Sequence, residues 1–285
     1  MARHDRARRL PVPPRHGYRI VSDDTPLLVQ RDGAVVRLVL NRPHRRNAMS
    51  EALVARMDEA LAELRTDTTA RVVVISGAGG HFCAGLDLTE VGAPKSAEEK
   101  LAEQQARNRR TGARFQAISD LKQVVIAAVE GSAYAGGLGF VCAADIVLAS
   151  GTARFSAPEV RRGLVPAQIL PWLTRRMGRS AAARLCLQGN VIDAEEAARI
   201  GLVHATAPDA EGLARLLDLT IADVLEGAPG ALAETKGLIA ALGAVLPPGY
   251  GEAGAEAFAR QAAGPEAAEG IASFKERRKA VWSRG

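Results

Sequence analysis

The sequence predicts an α/β fold in which most strands pair in parallel. Short apolar runs rich in valine and isoleucine alternate with longer segments whose apolar residues recur at helical spacing. Two of the apolar runs lead into glycine-rich turns, at residues 77–80 and 131–139. Strands joined through helices favour parallel pairing, and 285 residues are enough for one large domain.

The regular part of the chain begins with a hairpin and a helix. Residues 27–30 and 34–40 are predicted strands, and the Asp32-Gly33 dipeptide between them is a strong hairpin signal. Ser50 is the expected N-cap of a helix that runs to about Leu64, because the segment after it is apolar on one face.

The alternation continues towards the C-terminus. Further strands are predicted at residues 72–76, 124–129 and 146–149, with a short strand after residue 203. Helices are predicted at about 97–121, at 180–188, at 193–200 and over nearly everything after about 209.

The charge distribution adds a third region to this organisation. Six arginines and one aspartate within residues 1–20 account for the whole net charge of +5. We therefore predict a disordered basic tail (1–25), an α/β core (26–208) and a C-terminal helical region (209–285). The neutral body lacks the basic face typical of nucleic-acid-binding proteins.

Several classes of protein are disfavoured by what the sequence lacks. No apolar stretch is long enough to span a membrane, and the tail has no signal-peptide core. The cysteines are isolated and the histidines have no metal-binding spacing. We expect a cytoplasmic protein with reduced thiols, no metal site, and no nucleic-acid or membrane partner.

The glycine-rich turns are the first candidates for chemistry. A glycine turn between a strand and a helix exposes backbone N–H groups at the positive end of the helix. Neither turn has the glycine spacing of a dinucleotide site or a P-loop. The glycines could serve close packing alone, but two such turns favour a pair of converging N–H donors, an oxyanion hole.

Glu159 is the second candidate. It follows Pro158 among apolar neighbours, where a carboxyl group has a raised pKa and can move a proton. The same position also suits a helix-capping glutamate. Asp87 is open to two similar interpretations, general acid or cap, and Cys83 is either a nucleophile or a small buried residue.

Several motifs follow one another in a fixed order along the chain. They are Leu40–Ser50 (LNRPHRRNAMS), His81–Leu88 (HFCAGLDL), Val129–Gly137 (VEGSAYAGG), Ala144–Ser150 (ADIVLAS), Phe155–Val160 (FSAPEV), Gly163–Pro166 (GLVP) and Phe274–Trp282 (FKERRKAVW). With these motifs, over about residues 27–283, the chain resembles the crotonase superfamily, the enoyl-CoA hydratases and isomerases.

The resemblance implies a spiral of ββα units followed by C-terminal helices, and an acyl-CoA thioester as substrate with no further cofactor. It places the oxyanion hole at the N–H groups of Leu86 and Gly136, and the catalytic carboxylate at Glu159. It assigns coenzyme A contacts to Arg45, Arg46, Ala48, Ala84, Asp87, Phe274 and Arg277. It also implies a homotrimer, or two trimers stacked as a hexamer.

One position departs from the family pattern. Many hydratases of the family hold the attacking water between two glutamates, and Gly139 stands where the other glutamate belongs. We expect open space there without an acceptor. The Pro166–Leu173 run (PAQILPWL) resembles the isohexenylglutaconyl-CoA hydratases.

Three functions fit this pattern. The first is a hydratase (a lyase), acting on a simple or a branched glutaconyl-type thioester. The second is a Δ3,Δ2-enoyl-CoA isomerase that uses the same single glutamate. The third is a catalytically silent acyl-CoA-binding relative.

Overall fold

A computed structural model describes residues 25–87, 89, 96–241 and 249–278 of the chain. Its strands are β1 (Leu27–Asp32), β2 (Val35–Leu40), β3 (Val72–Gly77), β4 (Val124–Val129), β5 (Ser132–Tyr134), β6 (Ile146–Ser150), β7 (Arg154–Ser156), β8 (Ile192–Asp193) and β9 (Ala205–Ala207). Its α-helices are α1 (Glu51–Thr66), α2 (Ala97–Ser119), α3 (Gly136–Ala143), α4 (Leu170–Gln188), α5 (Ala194–Arg199), α6 (Ala210–Glu226), α7 (Pro229–Ala241), α8 (Tyr250–Ala262) and α9 (Pro265–Lys275). Short 3-10 turns lie at Pro43–Arg45, Ala78–Gly80 and Glu159–Arg162.

A six-stranded sheet in the order β1-β2-β3-β4-β6-β9 forms the centre of the fold. β1 and β2 are antiparallel across the turn at Gly33, whose φ of 55° suits glycine. The other neighbouring pairs of this sheet are parallel. A second, small sheet has the order β5-β7-β8. The predicted α/β class is confirmed.

Helices cover both faces of the central sheet. Val73 and Ile75 of β3 belong to the core that includes the buried face of α1. Val72 and Val74 belong to the core on the opposite face, which α6 completes. Because both faces are buried, the parallel strands appear in the sequence as unbroken apolar runs.

The predicted start of the first helix is confirmed. The Ser50 hydroxyl accepts a hydrogen bond from the Leu53 N–H at 3.2 Å and so caps α1. Apolar residues of α1 then recur on the face that packs on the sheet.

The prediction for α4 was wrong by ten residues. The helix begins at Leu170 rather than at residue 180, and Pro171 lies in its first turn, where proline is tolerated. Gly178 leaves the helical conformation with φ 76° and ψ 164°. This interruption breaks the apolar periodicity just before the predicted start.

The glycine-rich region 131–139 contains regular structure that was not predicted. β5 and the start of α3 both lie within it. A three-residue strand and a glycine-rich first helical turn have too little periodicity to be recognised in the sequence.

Part of the predicted organisation falls outside the described residues. This is the case for nearly all of the predicted basic tail and for Val281 and Trp282 near the C-terminus. The division at residues 208 and 209 stays a prediction. No helix in the described part of the chain is long and apolar enough to cross a membrane.

Candidate active site

The two glycine-rich turns lie side by side. The segment after the first turn forms parallel bridges from Leu86 to Met49 and from Cys83 to Ala133 of β5. The Met49 N–H donates to the carbonyl of Gly85 at 2.8 Å, which anchors the segment on its other side. The two segments are therefore adjacent in the fold, and their role as a pair of converging N–H donors stays a prediction.

The residue before each expected donor has a positive φ. Gly85 precedes Leu86 with φ 95°, and Ala135 precedes Gly136 with φ 49°. A Cβ placed on Gly85 would lie 3.1 Å from the Ala135 Cβ, so the two turns are in contact. The chain therefore turns sharply just before the N–H group of Leu86 and just before that of Gly136.

Both N–H groups are available to a ligand. Gly136 is the first residue of α3, so its N–H has no partner within the helix. Among the described residues, no backbone carbonyl accepts a hydrogen bond from Leu86 or Gly136. Two free donors on adjoining turns can hold a developing oxyanion.

Glu159 lies close to the same edge of the small sheet as Gly136. β5 and β7 are parallel neighbours, Gly136 follows β5 by two residues, and Glu159 follows β7 by three. The Ala135 N–H donates to the carbonyl of Ser156 at 3.0 Å and ties the two strand ends together. The carboxylate and the second donor are thus carried by adjacent strands.

The Glu159 carboxyl group is buried with only part of its hydrogen-bonding capacity used. Its own backbone N–H acts on the carboxyl group, but its Oε2 is buried without a hydrogen-bond partner. Burial raises its pKa from the ordinary 4.5 to about 7, against the opposing effects of its own N–H and of Arg162. A carboxyl group with this pKa can accept and return a proton near neutral pH.

The expected open space at Gly139 is absent. The ring of Phe115, from α2, fills it: a Cβ placed on Gly139 would lie 2.6 Å from one ring carbon and 2.7 Å from another. Phe115 also packs edge-on against Phe140, with ring centroids 5.6 Å apart. The absence of a second carboxylate is accompanied by an aromatic side chain that occupies its place.

The residues expected to contact adenosine and phosphate lie on one loop. Arg45 and Arg46 are exposed, Ala48 is buried, and the Ala84 N–H donates to the carbonyl of Arg46 at 3.0 Å. The coenzyme A contacts assigned to this loop stay predictions. The exposed guanidinium groups suit the phosphates of such a ligand.

Asp87 has a structural partner. One carboxylate oxygen lies 2.9 Å from the Arg42 guanidinium, and the other accepts hydrogen bonds from Thr89. Burial alone would raise its pKa, but the bonds from Thr89 and Arg42 outweigh burial and lower the pKa. This side chain stays ionised and is unsuited to act as a general acid.

The predicted residues at the C-terminal end lie beside the Glu159–Arg162 turn. α9 packs on that turn, and the ring of Phe274 lies 4.6 Å from the guanidinium carbon of Arg162. Arg277 follows α9 with φ 55°. Their assigned contacts with coenzyme A also stay predictions.

Asn47 is a residue of the site that sequence reasoning missed. It is fully buried with φ 56°, and its side-chain amide donates to the carbonyls of Ala78 and His81 at 2.9 and 2.6 Å. The side-chain oxygen Oδ1 of Asn47 accepts a hydrogen bond from the backbone N–H of Arg42 at 2.8 Å. It holds the first glycine turn against the preceding loop. Asparagine tolerates positive φ, which is the signal that was available.

The other candidates for chemistry are not supported. Cys83 is fully buried, and burial raises the pKa of its thiol to about 12, so it is not a thiolate nucleophile. Within the described ranges, no three His, Cys, Asp or Glu side chains converge as a metal site would require.

The chain is similar to known enoyl-CoA hydratases and isomerases. The family model described as enoyl-CoA hydratase/isomerase matches residues 30–285. The crystal structure of an enoyl-CoA hydratase from Mycobacterium avium is 36% identical with a TM-score of 0.80, over 91% of this chain and 100% of that one. The structure of AtuE from Pseudomonas aeruginosa is also 36% identical, with a TM-score of 0.71 over 91% and 100% of the two chains.

A relative with a named substrate is the 2,3-dehydroadipyl-CoA hydratase of Escherichia coli K12. It is 38% identical over 184 residues, which are 64% of this chain and 69% of that protein. The family match covers nearly the whole chain, and the fold agrees with that of the solved hydratases. The chain therefore belongs to the enoyl-CoA hydratase/isomerase family of the crotonase superfamily.

Proposed function

We propose that the protein adds water across the α,β double bond of an acyl-CoA thioester, with Glu159 as acid and base. The observation that carries this proposal is the buried Glu159 carboxylate, whose Oε2 has no hydrogen-bond partner, in the turn after β7, the strand next to the one that leads to Gly136. In the first step, Glu159 takes a proton from water as the water oxygen bonds to the β-carbon. The electron pair of the α,β double bond forms the enolate, whose negative charge lies on the thioester oxygen. In the second step, the enolate collapses and Glu159 returns the proton to the α-carbon.

The N–H groups of Leu86 and Gly136 are the proposed oxyanion hole. They would bind the thioester oxygen most strongly when it carries the negative charge of the enolate. One such donor typically contributes about 3–4 kcal/mol to the transition state. The charge therefore develops at the positive end of α3, where the helix favours it.

We further propose that the acyl group carries a distal carboxylate, as a 3-branched glutaconyl thioester does. With Phe115 at the place of a second glutamate, Glu159 is the carboxylate among the described residues that would hold the attacking water. A carboxylate on the substrate can supply the missing acceptor. The named substrate of the E. coli relative is also a dicarboxylic acyl thioester.

A row of arginines on α2 supports an acidic acyl group. Arg107, Arg110 and Arg114 line a small cleft that also includes Leu86. Arg114 forms a bidentate ion pair with Asp58, at 2.6 and 2.7 Å. Arg107 lies 3.5 Å from Glu51 and 3.5 Å from Glu103. Arg110 also lines the cleft and forms no ion pair with another of the described residues, whereas its neighbour Arg109 is paired with Glu252. Its guanidinium is the cation available to a ligand carboxylate.

The test compares two thioesters by the absorbance of the conjugated enoyl group. We expect kcat/KM for a 3-branched glutaconyl-CoA to exceed that for crotonyl-CoA by more than about tenfold. Arg110→Gln should reduce that ratio, whereas Arg215→Gln, an exposed arginine on α6, should leave it unchanged. If crotonyl-CoA is the better substrate of the native protein, the proposal of an acidic acyl group is wrong.

Isomerisation of a Δ3-enoyl thioester is the second candidate, because a single carboxylate is enough to move a proton between two carbons. The two reactions have opposite signals: hydration removes the enoyl absorbance and isomerisation creates it. Absorbance that rises with a 3-enoyl thioester, without hydration of any 2-enoyl thioester, would replace the hydratase by the isomerase.

A further inference from the structure

The guanidinium of Arg162 lies near Glu159 without pairing with it. Arg162 lies in the same 3-10 turn, three residues after Glu159, and its charge acts on the Glu159 carboxyl group. No ion pair joins the two side chains, and Glu159 Oε2 has no hydrogen-bond partner. Side chains three residues apart in a 3-10 turn lie on the same side of it, so the Arg162 guanidinium is within reach of the carboxylate that it does not pair with.

Two other groups hold the guanidinium in place. Its Nη1 donates to the carbonyl of Pro158 at 3.3 Å. The ring of Phe274, from α9, lies 4.6 Å from the guanidinium carbon in a cation–π arrangement. One partner belongs to the turn itself and the other to a helix more than 100 residues further along the chain.

The backbone contact between α9 and the turn is close. A Cβ placed on Gly270 would lie 2.5 Å from the carbonyl oxygen of Arg162 and 2.6 Å from its Cα. A Cβ placed on Gly163 would lie 2.6 Å from the carbonyl oxygen of Glu266. Two glycines therefore let α9 pack directly on the turn that carries Glu159. This packing brings the C-terminal end of α9 to the turn, where the half-exposed ring of Phe274 lies over Arg162.

We propose that Phe274 and the carbonyl of Pro158 hold Arg162 away from Glu159, and that α9 thereby keeps the Glu159 carboxylate free to exchange a proton. Arg162 and Phe274 are positioning residues in this scheme. The inference rests on the proposed role of Glu159 as acid and base. If Arg162 were released, its guanidinium would pair with the carboxylate, hold it ionised and make it a weaker base.

In the described part of the chain, the other charged or titratable groups near this pair come from α4, α9 and the turn itself. From α4, the thiol of Cys186 interacts with Glu159, and burial raises the pKa of that thiol to about 12, so it is uncharged. Next to Arg162 in the turn is Arg161, whose Nε donates to the carbonyl of Gln188 at 2.8 Å. From α9, Glu266 is exposed and Glu269 is bound by Arg278. Among the described residues, Arg162 is therefore the charged group that we expect to alter Glu159.

The test follows the acid limb of the kcat/KM–pH profile in four variants of the full chain. Phe274→Leu should move the limb to lower pH by one unit or more, because the released arginine stabilises the ionised carboxylate. Phe274→Tyr keeps a ring and should leave the limb in place. Arg162→Gln should move the limb to higher pH. Arg162→Gln combined with Phe274→Leu should match Arg162→Gln alone.

A direct titration separates this inference from the proposed reaction. In protein labelled with ¹³C at the glutamate carboxyl groups, the Glu159 signal is identified by its loss in Glu159→Gln. Its midpoint should shift as the kinetic limb does, even if the protein proves to be an isomerase or has no turnover. An unchanged midpoint in Phe274→Leu, with only a higher KM, would overturn the inference and make Phe274 a ligand contact alone.

Discussion

Burial of the Glu159 carboxyl group costs folding free energy but gives the group a pKa that suits proton transfer. Its buried oxygen has no partner, and burial raises its pKa to about 7. Glu159→Gln keeps the shape of the side chain and removes the titration. We expect turnover to fall by about 10²- to 10⁴-fold, the usual loss when a general acid–base is removed. A loss below tenfold in a folded variant would exclude this role.

The same substitution should stabilise the fold at high pH. Between pH 4.5 and 7 the unfolded chain loses the Glu159 proton while the folded chain keeps it, so the native protein loses stability as pH rises. The loss should level off above pH 7 at about 3 kcal/mol, whereas the glutamine variant has none. Urea unfolding of both proteins at pH 4.5 and pH 8 measures the difference. A gap between the two proteins that stays constant with pH would contradict the buried ionisation.

Gly139 and Phe115 should be energetically coupled. A methyl group at position 139 would collide with the Phe115 ring, so Gly139→Ala should lower the free energy of unfolding by about 1–3 kcal/mol. In a Phe115→Ala background the same change should cost much less, because the ring is gone. Equal costs of Gly139→Ala in the two backgrounds would show that the ring is not the obstacle.

At the scale of elements, the start of α3 should matter more for turnover than for stability. A Cβ on Gly136 would collide with the Met49 Cε, the mobile end of a flexible side chain. Gly136→Val should therefore fold, yet displace the N–H donor and lower kcat by about 10²- to 10³-fold. Met49→Ala should restore the stability of that variant but not its turnover. Near-normal turnover of Gly136→Val would exclude Gly136 as a donor.

Most of the long elements were predictable, except for the start of α4, whereas β5 and the start of α3 were not. β4 was predicted at its observed bounds, because a strand buried on both faces is visible as an apolar run. The adjacency of the two glycine turns followed from their positions after strands. The Phe115 ring at Gly139 did not, because it comes from a residue 24 positions earlier and no local pattern records such a contact. The same holds for Phe274 over Arg162.

At the scale of the whole molecule, the C-terminal helices pack on their own core. α8 lies along α2, where Glu252 and Arg109 are 2.8 Å apart, and α9 covers the Glu159–Arg162 turn. Large apolar side chains nevertheless remain exposed on α7 and at the end of α4, namely Leu238, Ile239 and Leu187. Surfaces of this kind are typical of subunit contacts.

We predict that the protein is a homotrimer or a hexamer in solution. Light scattering over a range of concentrations should give three or six times the chain mass. Leu238→Glu would place a charge on the exposed face of α7 and should lower that mass if α7 lies in the interface, whereas Leu219→Glu, on the exposed face of α6, serves as the comparison. A monomer mass at all concentrations would refute the assembly.

The contact between Phe115 and Gly139 also limits how this enzyme could change its chemistry over evolutionary time. A second carboxylate at position 139 needs a side chain where the ring now lies, and removing the ring alone opens a hole in the core. Either single replacement passes through a less stable protein, and only both together give a two-carboxylate site. Every path of single substitutions between the one-carboxylate and two-carboxylate forms therefore includes a less stable protein. Selection against that intermediate would keep a single carboxylate at this site.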